Sequence, residues 1–295
     1  MEYALEIRNL RKEYPGFTLR DVSFALPPGA IMGLIGPNGA GKTTVIKLIL
    51  NIVRRTAGEV RVLGLDSLAS EAAAKSRTGF VLDESPFIGY LKVGAIGSVI
   101  APFYATWDAG RFRELCREFE LPRGRRVNAL SRGMKMKLAL AVALSHSAGL
   151  ILLDEPTSGL DPVFRRELLE RLSGLIQDGR TSVLFSTHIT SDLERVADYI
   201  TCLKNGELLF SSPRDEILDN WGLVKGGPEL FTDENMDLYK SVLSGPYGWT
   251  ALTAERDRAR RRLAGRDATI EPVRLDDLVF LLGREGGPEE ERTHE

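Results

Sequence analysis

A glycine-rich segment near the start of the chain restricts the fold more than any other feature. Residues 36–44 read GPNGAGKTT, which fits the pattern G-x-x-x-x-G-K-[ST]. The apolar run 31–35 before it predicts a buried strand, and the apolar run 45–50 after it predicts a helix. A chain that passes from strand to glycine loop to helix in this way is predicted to bind the phosphates of a nucleotide.

Each fixed position of this loop has a physical reason. Glycines permit positive φ, so that successive N–H groups converge on one anion, and the following helix turns its partially positive end toward it. Lys42 is predicted to reach the outer phosphates, and the Thr43 hydroxyl is predicted to ligate Mg²⁺. The predicted phosphate-binding residues are Gly36, Asn38, Gly39, Gly41, Lys42, Thr43 and Thr44.

Composition narrows the class of protein. The chain has 295 residues, of which 43% are hydrophobic and 27% are charged, so one large or two unequal globular domains are expected. The net charge of −2 gives no electrostatic reason to expect nucleic acid as a partner. Cys116 and Cys202 lie far apart, which predicts a reducing compartment, no zinc site and no disulfide framework. The N-terminal residues do not have the pattern of a signal peptide, and no apolar run approaches the length of about 18 residues that a membrane span needs. A membrane role is therefore expected to need a partner.

Strands are predicted to alternate with helices over most of the chain, which favours a mainly parallel α/β sheet. Aromatic residues between 84 and 129 are predicted to be mostly core. A change of character near residue 213 predicts a domain boundary, and the acidic residues 284–295 predict a disordered tail. The predicted strands are those within 3–35, 58–64, 78–82, 150–153, 182–186 and 249–253, and the predicted helices are 138–148, 162–178 and 274–282.

A second chemical motif follows the apolar strand that begins at residue 150. This strand ends in Asp154 and Glu155. At the carboxyl edge of a parallel sheet, Asp154 would lie near the glycine loop and hold Mg²⁺ through water. Glu155, one residue later, is predicted to polarise a water molecule aimed at the terminal phosphate.

Further motifs make the sequence resemble the ABC (ATP-binding cassette) ATPases. Besides the glycine loop and the acidic strand, these are Leu130–Met134, which resembles the family signature, Ser158–Asp161, and His188 at the end of the next strand. Tyr14 matches the aromatic residue that stacks on adenine in this family, although simple strand packing also explains it. The resemblance covers about residues 1–215 and implies an α/β P-loop NTPase fold. The implied fold has a mainly parallel core sheet, an antiparallel N-terminal β-subdomain and a helical subdomain at about 84–145.

The resemblance also implies a mechanism. Two cassettes pair head to tail, and each ATP lies between the glycine loop of one subunit and Ser131 and Gly133 of its partner. Asp161 is implied as a dimer contact, and His188 is implied to hold the terminal phosphate and the attacking water. The implied catalytic pair is therefore Glu155 with His188, and the implied Mg²⁺ ligands include Thr43 and Asp154.

Two segments depart from the family pattern. The signature usually reads Ser-Gly-Gly-Gln, and this chain has Arg132 and Met134 at the second and fourth positions. Asp83 stands where the family usually has a Gln that touches Mg²⁺ and the attacking water. A carboxylate there can ligate Mg²⁺, but it adds negative charge near the terminal phosphate. Both departures resemble a bacterial exporter subgroup, in which we expect altered Mg²⁺ dependence rather than loss of hydrolysis.

The resemblance implies the ATPase subunit of an exporter, bound to the cytoplasmic face of the membrane through a separate transmembrane permease. A second copy of the chain or a related ATPase subunit is the implied dimer partner. Residues 216–283 resemble a small α+β accessory domain, whose arginine-rich segment 256–262 suits either anionic headgroups or a solvated helix face. A soluble cassette ATPase that acts on ribosomes or DNA stays open as the alternative function. The sequence does not name the transported substrate.

Overall fold

A computed structural model describes residues 2–82, 87–245 and 248–283. The chain forms two compact units, Met1–Phe210 and Ser211–Glu295. Two sequence predictions, the Mg²⁺ ligand Asp83 and the disordered tail 284–295, lie outside the described residues. No helix within the described ranges is long and apolar enough to cross a membrane.

The first unit alternates strands and helices along the chain. Its strands are β1 (Leu5–Tyr14), β2 (Phe17–Leu26), β3 (Ile31–Ile35), β4 (Ala57–Val62), β5 (Leu65–Asp66), β6 (Thr78–Val81), β7 (Leu150–Asp154), β8 (Ser182–Ser186), β9 (Tyr199–Lys204) and β10 (Glu207–Pro213), the last of which crosses the unit boundary. Its helices are α1 (Lys42–Ile49), α2 (Glu71–Ser76), α3 (Val93–Ile100), α4 (Ala109–Glu118), α5 (Arg132–Ala143), α6 (Pro162–Leu175) and α7 (Thr190–Val196), with single 3₁₀ turns at Ala101–Phe103 and Val127–Ala129.

An antiparallel sheet in the order β2-β1-β4-β5 contains the N-terminal strands. Leu5 and Ile7 of β1 are buried and pair with Leu26 and Phe24 of β2, so the alternation in the sequence puts one face of the sheet into the core. A two-residue turn, Pro15-Gly16, joins the strands and sets Tyr14 opposite Phe17. The hairpin therefore holds two aromatic residues side by side at its end.

The central sheet has the order β10-β9-β3-β8-β7-β6. Every residue of β3, β7 and β8 is buried, which explains their continuous apolar sequences, and β3-β8, β3-β9, β7-β8 and β6-β7 pair in parallel. Parallel strands end at the same edge, so the residues after Ile35, Asp154 and Ser186 meet there. The sequence-based fold class is confirmed: a parallel core sheet, an antiparallel N-terminal sheet and a helical segment.

The helical segment between β6 and β7 qualifies one prediction. Phe112 and Phe119 are buried, but Tyr90 and Phe103 are 69% and 70% exposed, so these two are exceptions to the prediction that most of these aromatic residues are core. Tyr90 lies in a turn before α3, and Phe103 lies in the 3₁₀ turn after it.

The second unit, in its described residues, is an antiparallel sheet with three helices. It contains α8 (Arg214–Asn220), β11 (Gly222–Gly226), β12 (Ser241–Gly245), β13 (Gly248–Thr253), α9 (Arg256–Arg262), β14 (Ala268–Pro272) and α10 (Leu275–Gly283), with 3₁₀ turns at Pro228–Leu230 and Met236–Leu238. The sheet has the order β12-β13-β11-β14, and its pairs are antiparallel. Its core includes Val224, Phe231 and Ala251.

The arginine-rich segment of this unit forms α9, and three of its five guanidinium groups lie near carboxylates. Arg258 lies 2.5 Å from Asp237 and 2.6 Å from Glu255, and Arg262 also lies 3.2 Å from Asp237. Arg260 lies 3.5 Å from Asp257. Because these charges are locally compensated, the segment fits a solvated helix face better than a surface for anionic headgroups.

Candidate nucleotide-binding site

The glycine loop connects β3 to α1 at the carboxyl edge of the central sheet. Gly36, Gly39 and Gly41 have φ values of 149°, 79° and 107°, as the sequence pattern predicts. Gly36 allows close approach as well, because a Cβ at this position would overlap the carbonyl oxygen of Leu203 on β9. The loop is therefore fitted against the sheet, and its N–H groups lead into the first turn of α1.

Lys42 starts α1 and turns back over the loop. Its Nζ donates hydrogen bonds to the carbonyl oxygens of Gly36 at 2.8 Å and Pro37 at 3.3 Å. Burial lowers the pKa of this ammonium group, while the nearby carboxylates of Glu155 and Asp154 act in the opposite direction. The cation thus lies over the loop, in the electrostatic field of Asp154 at the end of β7 and of Glu155 after it.

A pocket of about 460 Å³ opens over this loop. Thr43 is exposed in the first turn of α1, where its hydroxyl is accessible to a ligand. The pocket is lined by Phe17, Asn38, Gly39, Ala40, Gly41, Lys42, Thr43, Thr44 and Glu155. The structure thereby brings most of the predicted phosphate-binding residues together with one predicted catalytic residue.

Phe17 is a pocket residue that the sequence reasoning missed. A Cβ at Gly41 would lie 3.1 Å from Cζ of Phe17, so the phenyl ring packs against the loop itself. Tyr14 does not line the pocket; it lies opposite Phe17 across the hairpin, with the Lys12 ammonium 5.0 Å from its ring centre. The available signal was an aromatic pair that flanks a two-residue Pro-Gly turn.

Asp154 ends β7 and is buried against β8. Only 1% of it is exposed, and the hydroxyl of Ser186 donates a hydrogen bond of 2.6 Å to its Oδ1. Asp154 and Ser186 are direct partners in the parallel register. The acid is therefore fixed at the edge of the sheet where the glycine loop begins.

Glu155, the next residue, leaves the strand in an unusual backbone conformation. Its φ is 52°, and its N–H donates to the carbonyl oxygen of Ser186 at 3.1 Å and to the Ser186 hydroxyl at 3.2 Å. Its Oε2 lies 2.7 Å from Nδ1 of His188. The side chain of Glu155 is 18% exposed and lines the pocket, whereas that of His188 is 55% exposed and does not line it but contacts Glu155.

The signature segment and the 158–161 loop are neighbours within the chain. Ser131 caps α5 by accepting a hydrogen bond of 3.3 Å from the Met134 N–H, and the position of a Cβ on Gly133 is 3.3 Å from the carbonyl oxygen of Gly159. Asp161 caps α6 by accepting from the N–H groups of Phe164 and Val163, and these bonds, that from Phe164 first, lower its pKa. None of Ser131, Gly133 and Asp161 lines the pocket over the glycine loop.

The donor set at the loop fits a magnesium ion that a nucleotide helps to hold. The Thr43 hydroxyl and the Asp154 carboxylate supply oxygen donors, which Mg²⁺ prefers. No cluster of three or more His, Cys, Asp or Glu side chains that suits a metal occurs within residues 2–82, 87–245 and 248–283. Phosphate oxygens and water would therefore have to supply the remaining ligands, as is usual for Mg²⁺ in nucleotide sites.

The chain is similar to known ATP-binding proteins of transporters. A family model described as ABC transporter matches residues 19–158. The ABC transporter ATP-binding protein YtrB of Bacillus subtilis (strain 168) is 30% identical over 233 residues, which cover 79% of this chain and 79% of YtrB. The lantibiotic transport ATP-binding protein SrtF of Streptococcus pyogenes is 31% identical over 223 residues, which cover 72% of this chain and 91% of SrtF. A solved ATP-binding subunit of an ABC transporter superposes with a TM-score of 0.68 at 28% identity and covers 73% of this chain and 92% of that chain.

Proposed function

The chain belongs to the family of ABC transporter ATP-binding proteins, and on this premise we propose that it hydrolyses ATP to power an exporter whose membrane subunit is a separate chain. The observation that carries the proposal is the Glu155–His188 pair, 2.7 Å apart, beside a glycine-loop pocket of about 460 Å³. A pocket that only binds nucleotide needs no such pair, whereas hydrolysis needs a base and a group to orient it.

We assign each residue a role that its position supports. The N–H groups of the loop and Lys42 bind the phosphates and offset their charge. Glu155 accepts a proton from the attacking water, and His188 orients the carboxylate through its Nδ1. The aromatic end of the hairpin, with Phe17 in the pocket and Tyr14 beside it, provides an apolar surface for the adenine ring of ATP.

Thr43 and Asp154 are the residues that would hold Mg²⁺, directly or through water. The ion supplies charge stabilisation to the phosphates. We keep Asp83 as a proposed third ligand on the basis of the family pattern alone. Replacing Asp83 by Gln is expected to change the Mg²⁺ dependence of the ATPase rate, and an unchanged dependence would remove Asp83 from the set.

Two cassettes complete the site in this proposal. Ser131 and Gly133 lie at the N-terminus of α5, where N–H groups can donate hydrogen bonds to an anion, and Ser131 is exposed. They do not line the pocket of their own chain, so we assign them to the ATP of a second copy or of a related ATPase subunit. ATP would then join the two subunits, and hydrolysis would release them.

Glu155→Gln tests the catalytic assignment. We expect the ATPase rate to fall by about 10²- to 10⁴-fold, the usual contribution of a general base, while ATP binding persists. Size-exclusion chromatography with Mg-ATP should show a stable dimer, because the joined state no longer decays. Glu170→Gln is the matched control, since Glu170 is an exposed acid on α6 and loses the same charge. A Glu155→Gln protein that hydrolyses ATP at the normal rate would refute the proposal.

The transporter partner needs a separate experiment. The tagged chain, purified from detergent-solubilised membranes of its own host, should bring down a protein with several membrane spans. The relatives described as transport ATP-binding proteins favour this outcome over the ribosome or DNA alternative. Recovery with ribosomes and without a membrane protein would favour the alternative.

A further inference from the structure

One buried serine touches both acids of the site. Ser186 is the last residue of β8, and it is fully buried between β3 and β7. Its register partners are Leu34, one residue before the end of the strand that leads into the glycine loop, and Asp154. β8 lies between the strand of the loop and the strand of the acids, so its residues pair with both strands, and Ser186 is the one that pairs with Asp154.

The hydroxyl of Ser186 makes two directed hydrogen bonds. It donates to Oδ1 of Asp154 at 2.6 Å and accepts from the Glu155 N–H at 3.2 Å. A hydroxyl has one proton to donate, so its donation to the charged carboxylate leaves the lone pairs facing the amide. The bond fixes one oxygen of Asp154 and so fixes the direction in which the second oxygen points.

The same serine holds the backbone of Glu155. The Glu155 N–H is shared between the carbonyl oxygen of Ser186 at 3.1 Å and its hydroxyl. Glu155 has a φ of 52°, a left-handed conformation that residues with a Cβ adopt only when their surroundings impose it. This turn away from the strand direction brings Oε2 to within 2.7 Å of His188.

We propose that Ser186 is the positioning residue of the hydrolytic site, because its hydroxyl and carbonyl hold Asp154 and Glu155 in one fixed relation. The inference rests on the proposed function, in which Asp154 would hold Mg²⁺ and Glu155 accepts a proton from the attacking water. Ser186 itself does not line the pocket. It acts through the two acids.

The test compares Ser186→Ala with a serine at the other end of the same strand. Ser182 is also buried, accepts a hydrogen bond of 2.9 Å from the Gly29 N–H and donates one of 3.3 Å to the Pro27 carbonyl. Ser182→Ala therefore removes the same group from the same strand, but far from the two acids. Ser186→Thr restores the hydroxyl and is the rescue variant.

A first readout needs neither nucleotide nor metal. Amide hydrogen–deuterium exchange of the peptide that contains Glu155 should be at least about 5-fold faster in Ser186→Ala than in the wild type, since the Glu155 N–H loses one of its two acceptors. Ser182→Ala should leave this peptide unchanged. Equal exchange in Ser186→Ala and the wild type would overturn the inference.

A second readout is the Mg²⁺ dependence of nucleotide binding. Mg²⁺ should enhance binding of a fluorescent ATP analogue, and the Mg²⁺ concentration at half of this enhancement is the measured midpoint. We expect this midpoint to be about 10-fold higher in Ser186→Ala than in the wild type, because loss of a group that orients a metal ligand usually has an effect of this size. Binding of the analogue in EDTA should stay within about 2-fold, because the glycine loop is intact. The ATPase kcat should fall at least about 10-fold, and Ser186→Thr should recover most of the loss.

The outcomes separate this inference from the proposed function. If the wild type has no Mg²⁺-dependent ATPase activity, the proposed function fails. If Glu155→Gln abolishes hydrolysis while Ser186→Ala keeps the wild-type kcat and Mg²⁺ midpoint, the proposed function stands and the role of Ser186 is refuted. Equal losses in Ser186→Ala and Ser182→Ala would also refute it, because the effect would then be one of general stability.

Discussion

The turn between β9 and β10 offers a quantitative test of how tightly the glycine loop is packed. Asn205 and Gly206 have φ values of 49° and 79°, which is the geometry of a two-residue hairpin turn. The Gly206 N–H donates to the carbonyl oxygen of Ala40 in the glycine loop at 3.1 Å, and the Gly206 carbonyl accepts from the Arg20 N–H of β2 at 2.7 Å. One glycine therefore joins the loop to the aromatic hairpin.

Replacing Gly206 by Ala should destabilise the first unit in two ways. The positive φ costs about 1–2 kcal/mol for a residue with a Cβ. The Cβ would also overlap the carbonyl oxygen of Thr18 and lie 2.9 Å from its carbonyl carbon, so the turn has to move. Loss of the two backbone hydrogen bonds adds about 0.5–1.5 kcal/mol each. The expected total is about 2–5 kcal/mol.

Gly179→Ala separates the cost of backbone strain from the cost of the steric overlap and the lost hydrogen bonds. Gly179 has a φ of 68°, and a Cβ at this position meets no heavy atom within 4 Å, so only the backbone strain of about 1–2 kcal/mol applies. Urea unfolding of both variants is followed by circular dichroism. The curves are fitted with one common slope for the dependence of the free energy of unfolding on urea concentration, and they give the difference in that free energy. ATP binding should weaken only in Gly206→Ala, because only that turn touches the glycine loop. Equal destabilisation in the two variants, or unchanged ATP affinity in Gly206→Ala, would refute this reasoning.

Three further predictions concern the adenine ring of ATP, a buried histidine and the metal ion. Phe17→Ala should weaken ATP binding by about 1–3 kcal/mol through lost stacking, measured by titration with a fluorescent analogue, and Phe17→Tyr should preserve it. His146 is buried beside Tyr104 and its pKa is lowered to about 4 by burial, so between about pH 6.5 and pH 4 only the unfolded chain binds the proton. The free energy of unfolding should therefore fall by up to about 2 kcal/mol from pH 7 to pH 5, and His146→Phe, which keeps a ring against Tyr104, should remove that part of the loss. EDTA should abolish hydrolysis while nucleotide binding persists, and hydrolysis at the normal rate in EDTA would contradict the assignment of Thr43 and Asp154.

Much of the site was predictable because its chemistry is contiguous in sequence. The glycine loop requires several glycines and a lysine within one short segment, so the pattern is legible without a structure. Asp154 and Glu155 stand at the end of an apolar run that predicts a strand, and β7 has that strand at Leu150–Asp154. The roles of these residues, and those of His188, Ser131 and Gly133, stay predictions until the variants are measured.

Other parts of the site were not predictable because they depend on pairs distant in sequence. Phe17 appeared as one more apolar residue in a strand, and only its packing on Gly41 brings it into the pocket. The sequence analysis named Ser186 only as the end of a strand, 31 residues beyond Glu155, whose N–H it binds. Tyr90 and Phe103 are exceptions to the expectation that most aromatic residues of their segment are core, and both lie exposed in turns.

The amino-acid sequence alone determined the class of ligand, the fold class and the order of the catalytic motifs, because each depends on neighbouring residues and on the periodicity of apolar side chains. Only the tertiary structure decided how the acids are oriented, which aromatic ring lines the pocket and which turn secures the loop. Parallel strands bring together carboxyl ends that are far apart along the chain, and the register between β7 and β8 set Ser186 beside Asp154. That register is a property of the assembled sheet, and no local pattern of residues specifies it.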